Sequence, residues 1–171
     1  MVSADENLKK SWNNVEGQYQ RRLDLFDNLV KTVKGAAKYE QETLEKIIQA
    51  RAAATQVKLT PETLNDPAAL AKFESAQKDL MSGFGRLLAT VEQYPQLQAV
   101  AGFQKLQDEI AGTENRINTA RSDYNQAVAD YNVKIRRFPG SIIAGITGFK
   151  TKEGFKAKAG AENAPSIDFE K

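Results

Sequence analysis

One stretch of the chain gathers the residue types that bind or react: Thr113 to Asn132, TENRINTARSDYNQAVADYN. Glu114, Arg116, Arg121, Tyr124, Asn125, Tyr131 and Asn132 stand there among few apolar residues. Carboxylate, guanidinium, phenol and amide groups make ion pairs and hydrogen bonds, and none of them is an activated nucleophile. The chain has no histidine and no cysteine. That removes the usual general base, the commonest metal ligand, and Ser/His or Cys/His catalysis. A di-metal carboxylate bundle needs Glu-x-x-His pairs and is excluded with them. Asp108-Glu109, Glu114 and Glu40-Gln41-Glu42 offer oxygens to a cation, but acidic runs on helices are ordinarily solvated faces. The glycines within 83–85 and 140–148 do not form a phosphate-loop pattern. The sequence predicts no catalytic residue, no metal ligand and no cofactor.

The charged residues still need an account. Glu40 and Arg51 share a helical stripe with Leu44 and Ile47, Glu114 adjoins the Thr113–Ile117 face, and Arg121 stands beside Ala120 and Tyr124. Burying a charge is costly unless it is paired. The pattern predicts a buried polar network in which Glu40 and Glu114 face Arg51 or Arg121, completed by Tyr124 and Asn125. Such a network fixes helix register; ligand binding and plain exposure are the alternatives. Trp12 and the tyrosines at 19, 39, 94, 124 and 131 read as core residues with their polar edges at the rim. Arg21, Arg22, Lys31 and Lys34 read as a solvated face, with lipid headgroups the alternative.

The elements that position these residues follow from apolar spacing. Leu8, Trp12, Val15, Tyr19, Leu23 and Phe26 recur every three or four residues, one face of an amphipathic helix. The seam keeps its phase through Val30, Val33, Ala37, Leu44 and Ile47. One helix over 5–56 would be about 75 Å long, far longer than the helix that follows. The sequence therefore predicts a break near Phe26–Asn28, with a kink at Gly35 as the alternative. Asp66-Pro67 is a helix start, a cap followed by proline at the first helical position. Leu70, Phe73, Leu80, Phe84, Leu87, Leu88 and Val91 make the third amphipathic run, and Tyr94-Pro95 ends it. The fourth runs to about Arg137 on a near-heptad seam from Phe103 to Phe138. The expected fold is all-α: an antiparallel four-helix bundle of up-and-down type over 1–138, with helices at about 5–26, 28–56, 67–93 and 97–137. Residues 139–171 form a glycine-containing tail, whose Ile142, Ile143, Ile146, Phe149 and Phe155 are expected to pack back on the bundle.

With 171 residues, 41% hydrophobic and 27% charged, the chain is long enough for one domain that buries about two-thirds of its unfolded surface. A formal charge of +2 argues against nucleic acid as a main partner, since phosphate binding needs concentrated basic surface. No run of 18 apolar residues occurs, and no signal peptide. The pattern enters a helix at once from MVSADENLKKSW, which fits a targeting or anchoring segment lying upstream.

The residues resemble the LemA family of bacterial membrane-anchored proteins over nearly the whole chain. Its first motif is similar to WNNVEGQYQRRLDL at 12–25 and NLVKTVKG at 28–35. Its second is similar to Tyr94-Pro95, Phe103, Leu106-Gln107, Thr113-Glu114-Asn115-Arg116-Ile117, Ala120-Arg121, Tyr124-Asn125, Tyr131-Asn132 and Phe138-Pro139. Two positions depart from it: Phe26-Asp27 stands where the family usually has Ile-Pro, and Tyr39 where histidine is frequent. The resemblance implies a helical domain outside the cytoplasm behind an N-terminal anchor, a single span or a lipid, so that this chain is a soluble piece without its anchor. It implies no enzyme. The expected function is a non-enzymatic, membrane-tethered interaction module of the bacterial envelope, with a membrane and an envelope protein as partners. The alternative is a small-ligand binding protein or an enzyme with a pocket between helices.

Overall fold

Val2–Lys34 form one unbroken helix of 33 residues, α1, with Asp5 in its first turn and Lys31 and Lys34 in its last, the charge placement the helix dipole favours. The computed structural model describes residues 2–34, 41–93, 99 and 102–156. Among them the chain is all-helical: α1 is followed by α2 (Gln41–Gln56), a 3-10 turn (Pro61–Asn65), α3 (Pro67–Gln93), α4 (Phe103–Arg136) and the short α5 (Gly140–Thr147).

The break expected near Phe26–Asn28 does not occur. Phe26, Leu29 and Val33 stay buried on the same stripe, and residues 28–34 belong to α1 rather than to a second helix. A break would be needed only if the helices next in sequence had to cover α1. Its main partner is instead α4, whose 34 residues match its 33, both about 50 Å long. Gly35 lies outside the described residues. The described part of the fourth helix starts at Phe103 behind Gly102 (φ 84°). The left-handed backbone there favours glycine.

Caps explain the other boundaries. Thr60 and Thr63 exchange side-chain and backbone hydrogen bonds in a capping box that closes the 3-10 turn. The Asp66 carboxylate accepts from the amides of Ala68 and Ala69, and Pro67 opens α3. Between α2 and α3 a Cβ on Gly83 would come within 3.3 Å of Ile47 Cγ1, so glycine is what lets these helices approach.

Ring and polar contacts give the helix directions. Trp12 meets Tyr124 and Arg21 meets Glu109, so α4 runs antiparallel to α1. Tyr19 meets Phe73 and Phe26 meets Phe84, so α3 runs parallel to it. The buried residues fall into two clusters. One is aromatic and holds Trp12, Tyr19, Phe73, Tyr124, Tyr131 and Phe155. The other is mainly aliphatic and holds Leu29, Val33, Ile47, Leu80, Leu87 and Ile110.

The tail departs from expectation in one respect. Ala144 and Phe155 are buried and Phe149 packs against the aromatic cluster. Ile142, Ile143 and Ile146 do not pack back; they are exposed on one face of α5. The eight-residue helix has one side to bury, and Ala144 occupies it.

Candidate functional site

Between the two clusters lies a polar layer. Arg22, Gln77 and Thr113 are buried polar residues, one each from α1, α3 and α4. Each replaces an apolar residue in its helix stripe: Tyr19–Arg22–Phe26, Phe73–Gln77–Leu80 and Ile110–Thr113–Ile117. Arg22 is the centre and is only 3% exposed. It donates from Nη1 to Gln77 Oε1 at 3.2 Å and from Nη2 to Glu114 Oε2 at 2.5 Å. Its guanidinium carbon lies 5.7 Å from the Tyr19 ring centre, within cation–π range. Nε of Arg22 finds no acceptor among the described residues. Thr113 satisfies its hydroxyl within its own helix, donating to the Ile110 carbonyl.

Above this layer a cleft of about 750 Å3 opens between α1, α3 and α4. Tyr19 and Arg22 form its floor with Ile117, Phe73 and Gln77, while Glu74, Lys78, Met81, Glu114 and Arg121 stand along it. Burial raises the Tyr19 phenol above its ordinary range, with Arg121 and Arg22 partly offsetting it. The cleft therefore presents protonated phenol, two guanidiniums, an ammonium and two carboxylates around an apolar floor. That inventory binds charged and aromatic groups. Among the described residues no three acidic side chains converge to hold a metal ion.

Of the six residues named for the network five are described: Arg121, Tyr124 and Asn125 all contact Phe155, while Glu114 and Arg51 take other partners. Glu114 lines the same cleft as Arg121 but makes its ion pair with Arg22, across α1 and α4. Arg51 pairs with Asp27 at 2.5 Å and joins α2 to α1 instead. Arg121 approaches Glu74 at 3.5 Å and places its guanidinium 4.4 Å from the Phe155 ring centre. Tyr124 is fully buried against Trp12 and Phe155, and burial, with a smaller contribution from Glu62, pushes its phenol up to about 12. Glu40 lies outside the described residues. Asn125 belongs to a different device. Its Nδ2 donates to the Phe155 carbonyl and its Oδ1 accepts from the Phe155 amide. Asn132 makes the same pair of hydrogen bonds with Lys152, donating from Nδ2 to its carbonyl and accepting at Oδ1 from its amide. Two asparagines seven residues apart thus hold residues 152–155 along α4, and Phe155 stacks on Trp12 at 6.1 Å.

Arg22 is the residue that reading the sequence missed, having been assigned with Arg21 to a solvated face. Arg21 is exposed and reaches Glu109; Arg22 is not. The signal was available: position 22 is three residues after Tyr19 and four before Phe26, inside the apolar stripe. The asparagine clasp was legible too, as Asp-Tyr-Asn repeated at 123–125 and 130–132.

The motif-bearing residues lie at these contacts: Arg22 and Glu114 in the layer, Asn125 and Asn132 in the clasp. The model of the LemA family matches residues 11–169. The chain belongs to the LemA family. Among curated relatives of this LemA-family chain are magnetosome protein MamQ 2 of Paramagnetospirillum magneticum, 31% identical over 92% of this chain, and magnetosome protein MamQ of Magnetospirillum gryphiswaldense, 30% identical over 92%. The match covers 64% of each relative, so the chain spans a little under two thirds of their length. No helix among the described residues is long and apolar enough to cross a membrane.

Proposed function

We propose that this LemA-family domain is a non-enzymatic, membrane-tethered interaction module of the bacterial envelope, and that a segment of an envelope protein seats in the cleft over Arg22. The helices α1 to α4 form its antiparallel, up-and-down four-helix frame; the helix directions read from ring and ion-pair contacts support this arrangement. Family membership and the likeness to the magnetosome proteins support the membrane-tethered half of the reading. The observation that carries the docking half is the cleft itself. It is open-sided rather than closed over a small molecule, about 750 Å3 in volume, and its rim alternates Glu74, Lys78, Glu114 and Arg121 above aromatic floor residues. Mixed rim charge around an apolar centre is how a protein interface is built.

A photo-crosslinking residue in place of Lys78, in the anchored full-length protein in cells, tests this. One discrete envelope-protein adduct is expected at position 78, lost with Arg121→Glu and absent when the crosslinker replaces the exposed Gln126. Equal adducts at 78 and 126, or none at 78, overturn the reading. The second reading, a small-ligand binding protein or an enzyme, is favoured by one feature: the unpaired Nε of Arg22 at the cleft floor. It gains if position 78 captures no polypeptide while a small dicarboxylic acid raises the melting temperature of the wild type and not of Arg22→Met.

A further inference from the structure

The end of the molecule built by the last turn of α4 and by α5 carries a surface unlike the rest. Phe138 and Ile146 are each 81% exposed, and Val133, Ile142 and Ile143 are exposed beside them in sequence. Ile142, Ile143 and Ile146 lie within about 100° of arc on α5, while Ala144 on the far side anchors the helix in the aromatic cluster. Exposed apolar side chains grouped in this way are what a binding surface offers.

Its charge is mainly basic, with Asp130 and Glu153 at the borders of the segment and Asp5 of the first turn of α1 near Tyr131. From Tyr131 to Lys152 the sequence holds Lys134, Arg136, Arg137, Lys150 and Lys152 and no acidic residue. Among the described residues no ion pair is formed by Lys134, Arg136, Arg137 or Lys150, while Lys152 acts on the Glu62 carboxylate. Lys134, Arg137 and Phe138 share a hollow of about 540 Å3, beside Asp130, the nearest acid in sequence. Apolar side chains flanked by free lysine and arginine match the interface of an anionic bilayer, where the chains insert at headgroup level and the cations meet lipid phosphates. A second copy fits poorly, because a two-fold contact would set the same cations against each other.

We propose that this end, Val133 to Lys150, docks on the surface of an anionic phospholipid bilayer, with Phe138, Ile142 and Ile146 inserted and Lys134, Arg136 and Arg137 on the headgroups. The docking deepens the membrane-tethered reading and rests on it for orientation. Ala4 belongs to the same buried cluster as Ile135 and Ala144, so the first turn of α1 lies at this end. An anchor joined to α1 would then hold the patch against the bilayer, with the Arg22 cleft part-way along the helices and clear of it.

Co-sedimentation of the 171-residue chain with vesicles tests the docking separately from the cleft. Binding is expected to vesicles of equal parts phosphatidylglycerol and phosphatidylcholine, and not to phosphatidylcholine alone. Each basic residue is expected to contribute about fivefold, so Arg136→Gln/Arg137→Gln should weaken binding roughly 30-fold. Ile142→Ser/Ile146→Ser should abolish it while leaving the far-UV circular dichroism and melting temperature unchanged, because both side chains are exposed. Equal binding to neutral vesicles, no binding to anionic ones, or undiminished binding of the isoleucine variant overturns the proposal. So does concentration-dependent dimerisation in sedimentation velocity that the isoleucine variant removes, if vesicle binding is absent. Failure here leaves the Lys78 crosslinking result standing, and the reverse also holds.

Discussion

The two halves of the core are held by different physics. In the half at the α5 end, rings meet at defined angles: Trp12 on Tyr124 and Phe155, Tyr19 on Phe73, Tyr131 on Phe149. Backbone from the tail is tied to it by the paired amide bonds of Asn125 and Asn132. In the other half leucine, isoleucine and valine dominate, with Phe26 against Phe84 as the ring pair among the described residues. Aliphatic packing is non-directional and tolerates small shifts between helices. Ring geometry and double hydrogen bonds do not. The directional half carries the tail and α5. The polar layer of Arg22, Gln77 and Glu114 is the boundary between the halves.

The largest expected effect comes from removing the ring that joins tail to helices. Phe155→Ala should cost about 3–5 kcal/mol, read from urea unfolding, and should strip hydrogen-exchange protection from the amides of Lys152 and Phe155. Phe84→Ala in the aliphatic half should cost a similar amount and leave those two amides protected. If both variants expose the tail equally, the halves are not separate units.

The layer comes next. Glu114→Ala leaves a 3%-exposed arginine with Gln77 as its remaining acceptor, and should cost about 3 kcal/mol, the lower end for a broken buried pair. Arg22→Met should cost about 1 kcal/mol or less, because the Glu114 side chain is 41% exposed and can rehydrate. A larger loss for Arg22→Met than for Glu114→Ala on chemical denaturation would show that Arg22 acts through packing and not as a buried charge.

The smallest effect is alkaline. The Tyr124 phenol is pushed up to about 12 in the folded chain, against an ordinary 10.0. A raised folded value means that its stability contribution is intact below pH 10 and falls as pH rises from 10 towards 12, when the unfolded chain ionises first. Tyr19 and Tyr131 are raised too, chiefly by burial. The unfolding midpoint should therefore drop over that interval, and Tyr124→Phe should drop less. An identical drop in Tyr124→Phe would place the alkaline loss in the other tyrosines.

Much of this was legible in the residues. The apolar stripes gave the helices, Asp66-Pro67 the start of α3, and the family motifs the family. The missing histidine and cysteine ruled out whole classes of catalysis. The failures share a cause. Length alone argued for a break at Phe26–Asn28, because one-dimensional reading compares a helix with its neighbour in sequence. Burial depends on its neighbour in space, and α4 is as long as α1. Glu114, Arg51 and Arg121 read as one network because each is a charge near a stripe, yet in space they pair with Arg22, Asp27 and Glu74.

What the sequence by itself determined is therefore local: which segments are helical, where caps close them, and which stripe each helix buries. Spacing and backbone chemistry act over a few residues and need no partner. Only the tertiary structure decided that Arg22 meets Glu114, that Asn125 and Asn132 grip the tail, and that the α5 isoleucines face outward. Those outcomes depend on which helices lie side by side and at what height. Many pairings satisfy the same stripes, and the choice among them is made by how the whole core packs.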